Sequence, residues 1–396
     1  MRASSAPERA LRLAMLAAAA VAAPAFAQES QLIAAVGVTH DDNVFRLDDG
    51  GDAADTRHIA SVGLHLDLPA SAQHIVLDGL VSDSRYARFS EFNHIAYTAQ
   101  LAWQWQAGER TAGRFAYGRE SSLTSLSNLQ AGQQSRVANR LEQQRLLAEG
   151  NYGLNSHWRL RAGFERLEHD NSAAEFQLSD MRRDSIETGL NWVSGSGNRI
   201  GLVARGEDAS LPNRQQSGRI TVDNSYRQWR IGPLLEWAPA AKSRLLLRGG
   251  RLQREYEQLP ARDYGAWTWN ASYEWQATAR FTLTALARDD LSEYEQVNVG
   301  LVAVKGFALQ PSFQFGEKSR LALSVGRDLR TYRCDVAVAG GAPLVRERLR
   351  VVDLQYSWQV LRTVGVNLQL RHEARRSALT TPYEALVASL GVRAVF

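Results

Sequence analysis

Between residues 91 and 106 the chain alternates. Ile95, Tyr97, Ala99, Leu101, Trp103 and Trp105 fall on one side, and His94, Thr98, Gln100 and Gln104 on the other. A period of two is the signature of a β-strand, because successive side chains point to opposite faces. The same unit recurs from residues 32–40 to residues 382–396, and about 18 such segments can be drawn. Short turns at 69–72, 107–110, 153–156, 195–198, 239–242, 277–279, 316–318 and 361–362 each follow an even-numbered segment. Longer polar connections follow the odd-numbered ones. An even strand number with alternating short turns and long loops is the pattern of an outer-membrane barrel, whose short turns are periplasmic. The spacing predicts an all-β chain: a transmembrane antiparallel β-barrel of about 18 strands in the bacterial outer membrane, with both termini periplasmic.

Hydropathy agrees with that expectation. After the N-terminal leader no stretch reaches the 18 or so apolar residues of a membrane-spanning helix. Mean hydropathy is −0.32, as expected where lumen-facing residues dilute lipid-facing ones. In the last segment Leu386, Ala388, Leu390, Val392, Ala394 and Phe396 share one face. A closing strand that ends on an aromatic residue resembles the C-terminal signature read by the barrel assembly machinery. Phe396 is therefore the candidate assembly signal and that machinery an expected partner.

At the other end, Arg2, Arg9 and Arg12 precede an apolar run over residues 13–23 and an Ala25-Phe26-Ala27 site. This is the architecture of a secretory leader. We expect residues 1–27 to be cleaved and residues 28–396 to form one barrel domain. Losing Arg2, Glu8, Arg9 and Arg12 takes the 46 basic and 42 acidic residues to 43 and 41. The basic residues are scattered among acidic ones, which gives no nucleic-acid footprint. Cys334 is the single cysteine, which excludes a disulfide framework and a thiolate metal site.

Of ten tryptophans, Trp103, Trp105, Trp158, Trp192, Trp237, Trp275 and Trp358 lie within a few residues of a short turn. Amphipathic rings gather at membrane interfaces. These seven are the expected girdle against outer-membrane lipid.

Fixing the apolar face outside leaves a lumen of mixed charge. Its arginines include Arg145, Arg159, Arg161, Arg205, Arg230, Arg248, Arg254, Arg371 and Arg393, and its acids Glu149, Glu165, Glu187, Glu207, Glu236, Glu274, Asp353 and Glu373. Such charges can simply pair across strands. Alternatively they line the path of a hydroxyl-rich chain, with Arg159, Arg161, Arg230, Arg371, Glu165 and Glu236 as candidate glycan contacts. The eight histidines stand at no nucleophile or metal spacing. Neither an enzyme nor a cofactor is expected.

One motif points further. The first segment runs into His40-Asp41-Asp42-Asn43-Val44-Phe45-Arg46-Leu47. On local physics this is an Asx-type turn capping the first strand, with Phe45 a hydrophobic anchor. A first strand ending in these residues, with Asp41, Asp42, Asn43, Phe45 and Arg46 as its marks, also resembles the opening of the EpsL-type outer-membrane proteins. These are β-barrel porins encoded with exopolysaccharide biosynthesis systems. The resemblance implies a channel or channel component in exopolysaccharide biosynthesis or export, with a polysaccharide chain and periplasmic export proteins as partners. The alternative is a general or substrate-specific diffusion porin for small hydrophilic solutes.

Overall fold

The computed structural model describes residues 29–48, 52–124, 137–211, 215–216, 220–221, 225–292, 299–334, 344–377 and 382–396. The leader expected at 1–27 lies outside the described residues.

The strands are β1 (Glu29–Asp41), β2 (Asp55–Ala70), β3 (Gln73–Tyr86), β4 (His94–Ala107), β5 (Thr111–Leu123), β6 (Arg140–Gly153), β7 (Trp158–Asn171), β8 (Met181–Val193), β9 (Arg199–Ser210), β10 (Gln215–Gln216), β11 (Ile220–Thr221), β12 (Tyr226–Ala240), β13 (Ser243–Tyr256), β14 (Tyr264–Trp275), β15 (Phe281–Leu291), β16 (Val299–Phe315), β17 (Ser319–Cys334), β18 (Leu344–Gln359), β19 (Val364–Ser377) and β20 (Tyr383–Val395). All but β10 and β11 form a single 18-stranded sheet. Each strand pairs antiparallel with its chain neighbour, β9 pairs β12, and β1 pairs both β2 and β20, so the sheet closes on itself. Closure leaves no edge, and in lipid an edge would carry unsatisfied backbone groups. A strand of 13 residues, at about 3.3 Å per residue and tilted by roughly 40°, covers about 30 Å of height, the thickness of a bilayer core.

Connections of two to five residues join β2–β3, β4–β5, β6–β7, β8–β9, β12–β13, β14–β15, β16–β17 and β18–β19. The other end carries the remaining connections, of five residues or more; we call the two ends the turn side and the loop side. Two boundaries differ from the sequence reading. Alternation alone runs one strand through residues 219–238. Instead Ile220–Thr221 leaves the barrel to pair with Gln215–Gln216, and the barrel strand starts at Tyr226. Residues 90–92 form a short 3-10 turn rather than the start of β4. Asn93 Oδ1 accepts the Tyr86 backbone N–H at 2.7 Å, and Phe92 is buried among loop residues, so local bonds outcompete the ladder there.

Residues paired across an antiparallel ladder share a face, so the register carries inside and outside around the whole barrel. The outward face holds nearly every large apolar strand residue that is exposed in the isolated chain, from Val36 and Ile95 to Leu390 and Val392. All ten tryptophans lie on it, including the seven of the expected girdle at the turn side. Trp105 is the one turned partly inward to the wall. It pairs with Gly113, where an added Cβ would collide with the indole ring and the Glu149 carbonyl. Above this belt the outward face turns polar, with Arg166 on Asp184 at 2.6 Å and Lys305 on Asp289 at 3.1 Å.

Candidate functional site: the lumen

The inward face is the polar half of each alternating strand, so the sequence pattern that makes the belt also makes the lumen. In its middle a network of ion pairs spans β6 to β13. Glu165 receives Arg145 at 3.0 Å and Arg205 at 3.1 Å. Arg205 also binds Glu207 at 2.6 Å. Glu187 stands among three guanidiniums: Arg248, Arg161 at 3.7 Å and Arg205 at 3.8 Å. Arg161 completes the chain on Glu149 at 2.8 Å. Arg248 and Glu187 lie on β13 and β8, so this contact leans over two intervening strands. Arg230 similarly reaches Asp290 on β15 at 2.6 Å, where Asn270 donates to the same carboxylate. Among charges held out of bulk water, removing one partner is costly because the other is left uncompensated.

At the loop side the lumen is lined by packed groups. Leu167, Met181, Ala209, Leu211, Tyr226 and Tyr256 form one buried apolar cluster. The loops after β1 and β3 form another through Phe45, Ala53 and Phe92, with Phe45 and Phe89 edge to face at 4.6 Å. On β17–β20, fully buried Glu347 holds Arg330 at 3.1 Å, with Arg375 at 4.0 Å, and Glu373 holds Arg371 at 3.0 Å and the Tyr383 hydroxyl.

The Asp41–Leu47 motif belongs to this end. Asp41 Oδ1 accepts the Asn43 N–H at 2.9 Å, the Asx turn that the sequence suggested. Asn43 is buried; its side chain donates to the carbonyls of Leu47 and Glu384 and accepts the Leu47 N–H. Arg46 has φ 56°, a left-handed conformation unfavourable for a side-chain-bearing residue, and its guanidinium is held on the Asp41 carboxylate at 2.8 Å. Asp42 ties the turn to the last strand, accepting the Leu386 N–H at 2.7 Å. The motif is thus a clamp across the β1–β20 seam.

The turn side differs. Near the turn-side strand ends, the lumen-facing positions include Arg114, Arg159, Arg161, Arg199, Arg244, Arg320 and Arg393, together with the acids Asp67, Glu149, Glu236 and Glu274. Asp67 is taken by His74 at 2.5 Å, Glu149 by Arg161, and Glu236 by Arg199 and Arg244, each at 3.5 Å. A cavity of 920 Å³ opens here, lined by Gln104, Gln106, Arg114, Glu149 and Asn151 among others. A second, of 530 Å³, lies along β13–β18 between Arg248, Asn270, Arg288 and Asp328, over Leu246, Leu286 and Val351.

All six residues proposed from the sequence as glycan contacts face the lumen, but five are engaged in ion pairs. Arg161, Arg230 and Arg371 hold Glu149, Asp290 and Glu373, while Glu165 and Glu236 hold arginines. Only Arg159 among them has no carboxylate partner among the described residues. Alternation reveals the face of a residue and not its partner, so Arg114 and Arg320 were missed. Their signal was their position beside short turns. Among the described residues no group of three or more His, Cys, Asp or Glu is arranged to hold a metal.

This combination defines a class. A closed antiparallel barrel, apolar outside and polar inside, is stable across a bilayer, and single-chain barrels of this kind are proteins of the bacterial outer membrane. No protein-family model and no curated protein matches the chain. Solved structures do share its fold. A BenF-like porin from Pseudomonas fluorescens Pf-5 superposes with TM-score 0.53 at 13% identity, over 94% of this chain and 100% of that one. OccK1 (OpdK) of Pseudomonas aeruginosa gives 0.51 at 11%, over 94% and 100%. OccK2 (OpdF) of the same organism gives 0.51 at 14%, over 93% and 97%. The chain is an 18-stranded barrel of porin architecture.

Proposed function

We propose that the protein is an outer-membrane channel, or the channel component, of an exopolysaccharide production and export system. The observation that carries this reading is the lumen itself, a barrel interior lined by guanidiniums, carboxylates and amides. Eighteen strands are wide enough for an aqueous path. Hydroxyl-rich chains are bound through such groups, since guanidiniums donate to sugar hydroxyls, carboxylates accept from them and amides do both. The resemblance of residues 41–47 to the EpsL-type opening supports the exopolysaccharide pathway, and the porin architecture supports a channel over an enzyme. The short turns and both termini face the periplasm, where export proteins would meet the turn-side mouth. Deleting the gene tests the reading: extracellular polysaccharide falls while intracellular precursor persists, and expression of the intact chain restores secretion. Unchanged secretion with slower uptake of small solutes overturns it.

That second outcome is the diffusion-porin reading. It is favoured by the architecture shared with OccK-type structures, one solved as OpdK with vanillate and one as OccK2 (OpdF) in complex with glucuronate. Under this reading the lumen passes small anions.

A further inference from the structure

We propose that the turn-side mouth is a binding vestibule for carboxylate-bearing glycans, built by Arg114, Arg159, Arg320 and Arg393. This deepens the reading of the lumen as a glycan path by naming the substrate class. In the middle of the lumen the guanidiniums of the network are answered by carboxylates. At the turn side these four have no carboxylate partner among the described residues; Arg320 donates only to the Ser312 hydroxyl, at 2.7 Å. They stand on two flanks of the wall, Arg114 and Arg159 on β5 and β7, Arg320 and Arg393 on β17 and β20.

The surroundings of Arg114 fit one kind of ligand. Arg114 lines the 920 Å³ cavity beside Gln104, Gln106 and Asn151, a size at the upper end of small-molecule sites, which run from roughly 300 to 1,000 Å³. A guanidinium presents a planar fork that takes a carboxylate through two parallel hydrogen bonds. The neighbouring amides suit ring hydroxyls. A uronic-acid chain satisfies both sets at once. A neutral chain leaves the forks to water, and an aminated chain meets like charge. Arginines without carboxylate partners at the mouth also raise the local concentration of anions, an effect that salt screens.

The test uses the whole barrel folded in detergent, with trigalacturonate and maltotriose as probes in titration calorimetry. We expect trigalacturonate to bind at least tenfold more tightly than maltotriose, and to weaken severalfold as KCl rises from about 50 to 500 mM, as screening requires. We expect R114Q/R159Q/R320Q/R393Q, still folded by its heat-modifiable migration, to lose that preference, and the corresponding four-lysine variant to regain part of it. If the quadruple variant does not fold, the doubles R114Q/R159Q and R320Q/R393Q each carry part of the loss. Equal affinity of the unaltered barrel for the two probes, or trigalacturonate affinity unchanged in a folded variant, overturns the proposal. Binding is read without transport, so a barrel that binds trigalacturonate but does not support secretion refutes the export reading and leaves the vestibule standing.

Discussion

Leu32 and Phe396 exchange both of their backbone hydrogen bonds, each at 2.9 Å, and so close the first strand onto the last. At the opposite end of the same seam, the Asp42 N–H donates to the Leu386 carbonyl at 3.2 Å and its carboxylate accepts the Leu386 N–H at 2.7 Å. The seam is the one place where strands distant in sequence must find each other, and it is clamped at both ends.

Phe396→Asp places a charge on the outward face beside lipid, where an unpaired charge is costly. We expect the variant to accumulate as unfolded or degraded periplasmic chain. Electrophoresis of unheated membranes reads this directly: the fast-migrating folded band is lost. A folded band of normal intensity would refute the role assigned to Phe396.

The loop-side clamp should be milder. Asp42→Ala removes one side-chain acceptor from the Leu386 amide, which costs about 1 kcal/mol. Urea unfolding in detergent should show a modest fall in midpoint with an unchanged slope. No change would mean that water replaces the carboxylate without loss.

Much of this was legible beforehand because alternation is a local signal. Ile95, Leu101 and Trp103 announce their own face, and the short turns announce their hairpins. The girdle, the closing strand and the Asx turn at Asp41–Asn43 follow from the same local rules. Pairing does not. Arg161 and Arg230 read alike in the sequence as lumen arginines, yet which acid each one holds depends on side chains leaning across strands. That is why three of the four arginines the sequence favoured, Arg161, Arg230 and Arg371, are already neutralised, while Arg114 and Arg320 were passed over. The role of Asp42 was hidden for the same reason, since Leu386 lies 344 residues away.

Gly113 provides a test of the wall. A side chain there would strike the Trp105 ring, so Gly113→Val should destabilise the barrel by roughly 1–3 kcal/mol, as overpacking does. Gly79 has open space where its Cβ would be, and Gly79→Ala should be neutral or slightly stabilising. Thermal loss of the folded band, compared between the two, distinguishes a fitted notch from a general intolerance of side chains.

Glu187 is the hub of the central network. Glu187→Gln leaves Arg161, Arg205 and Arg248 sharing fewer negative charges, and should cost several kcal/mol, roughly 3–5 at full burial and less where lumen water reaches the site. The same change should move ion selectivity toward anions. An unaltered unfolding midpoint together with unaltered selectivity would show that the network is only incidental.

Orientation can be read on intact cells. A protease-cleavable tag in the β7–β8 connection, after Ser172, should be cut from outside, whereas one at Lys242 in the β12–β13 turn should be cut only after the outer membrane is permeabilised. The reverse pattern would invert the barrel.

Conductance reads the lumen directly. The folded barrel, free of other proteins, is inserted into a planar lipid bilayer in KCl. We expect discrete steps of uniform size, a reversal potential in a salt gradient that favours chloride over potassium, and partial block by trigalacturonate added to the turn side. A folded, inserted barrel that passes no current above the bare membrane would show that this lumen is not a path.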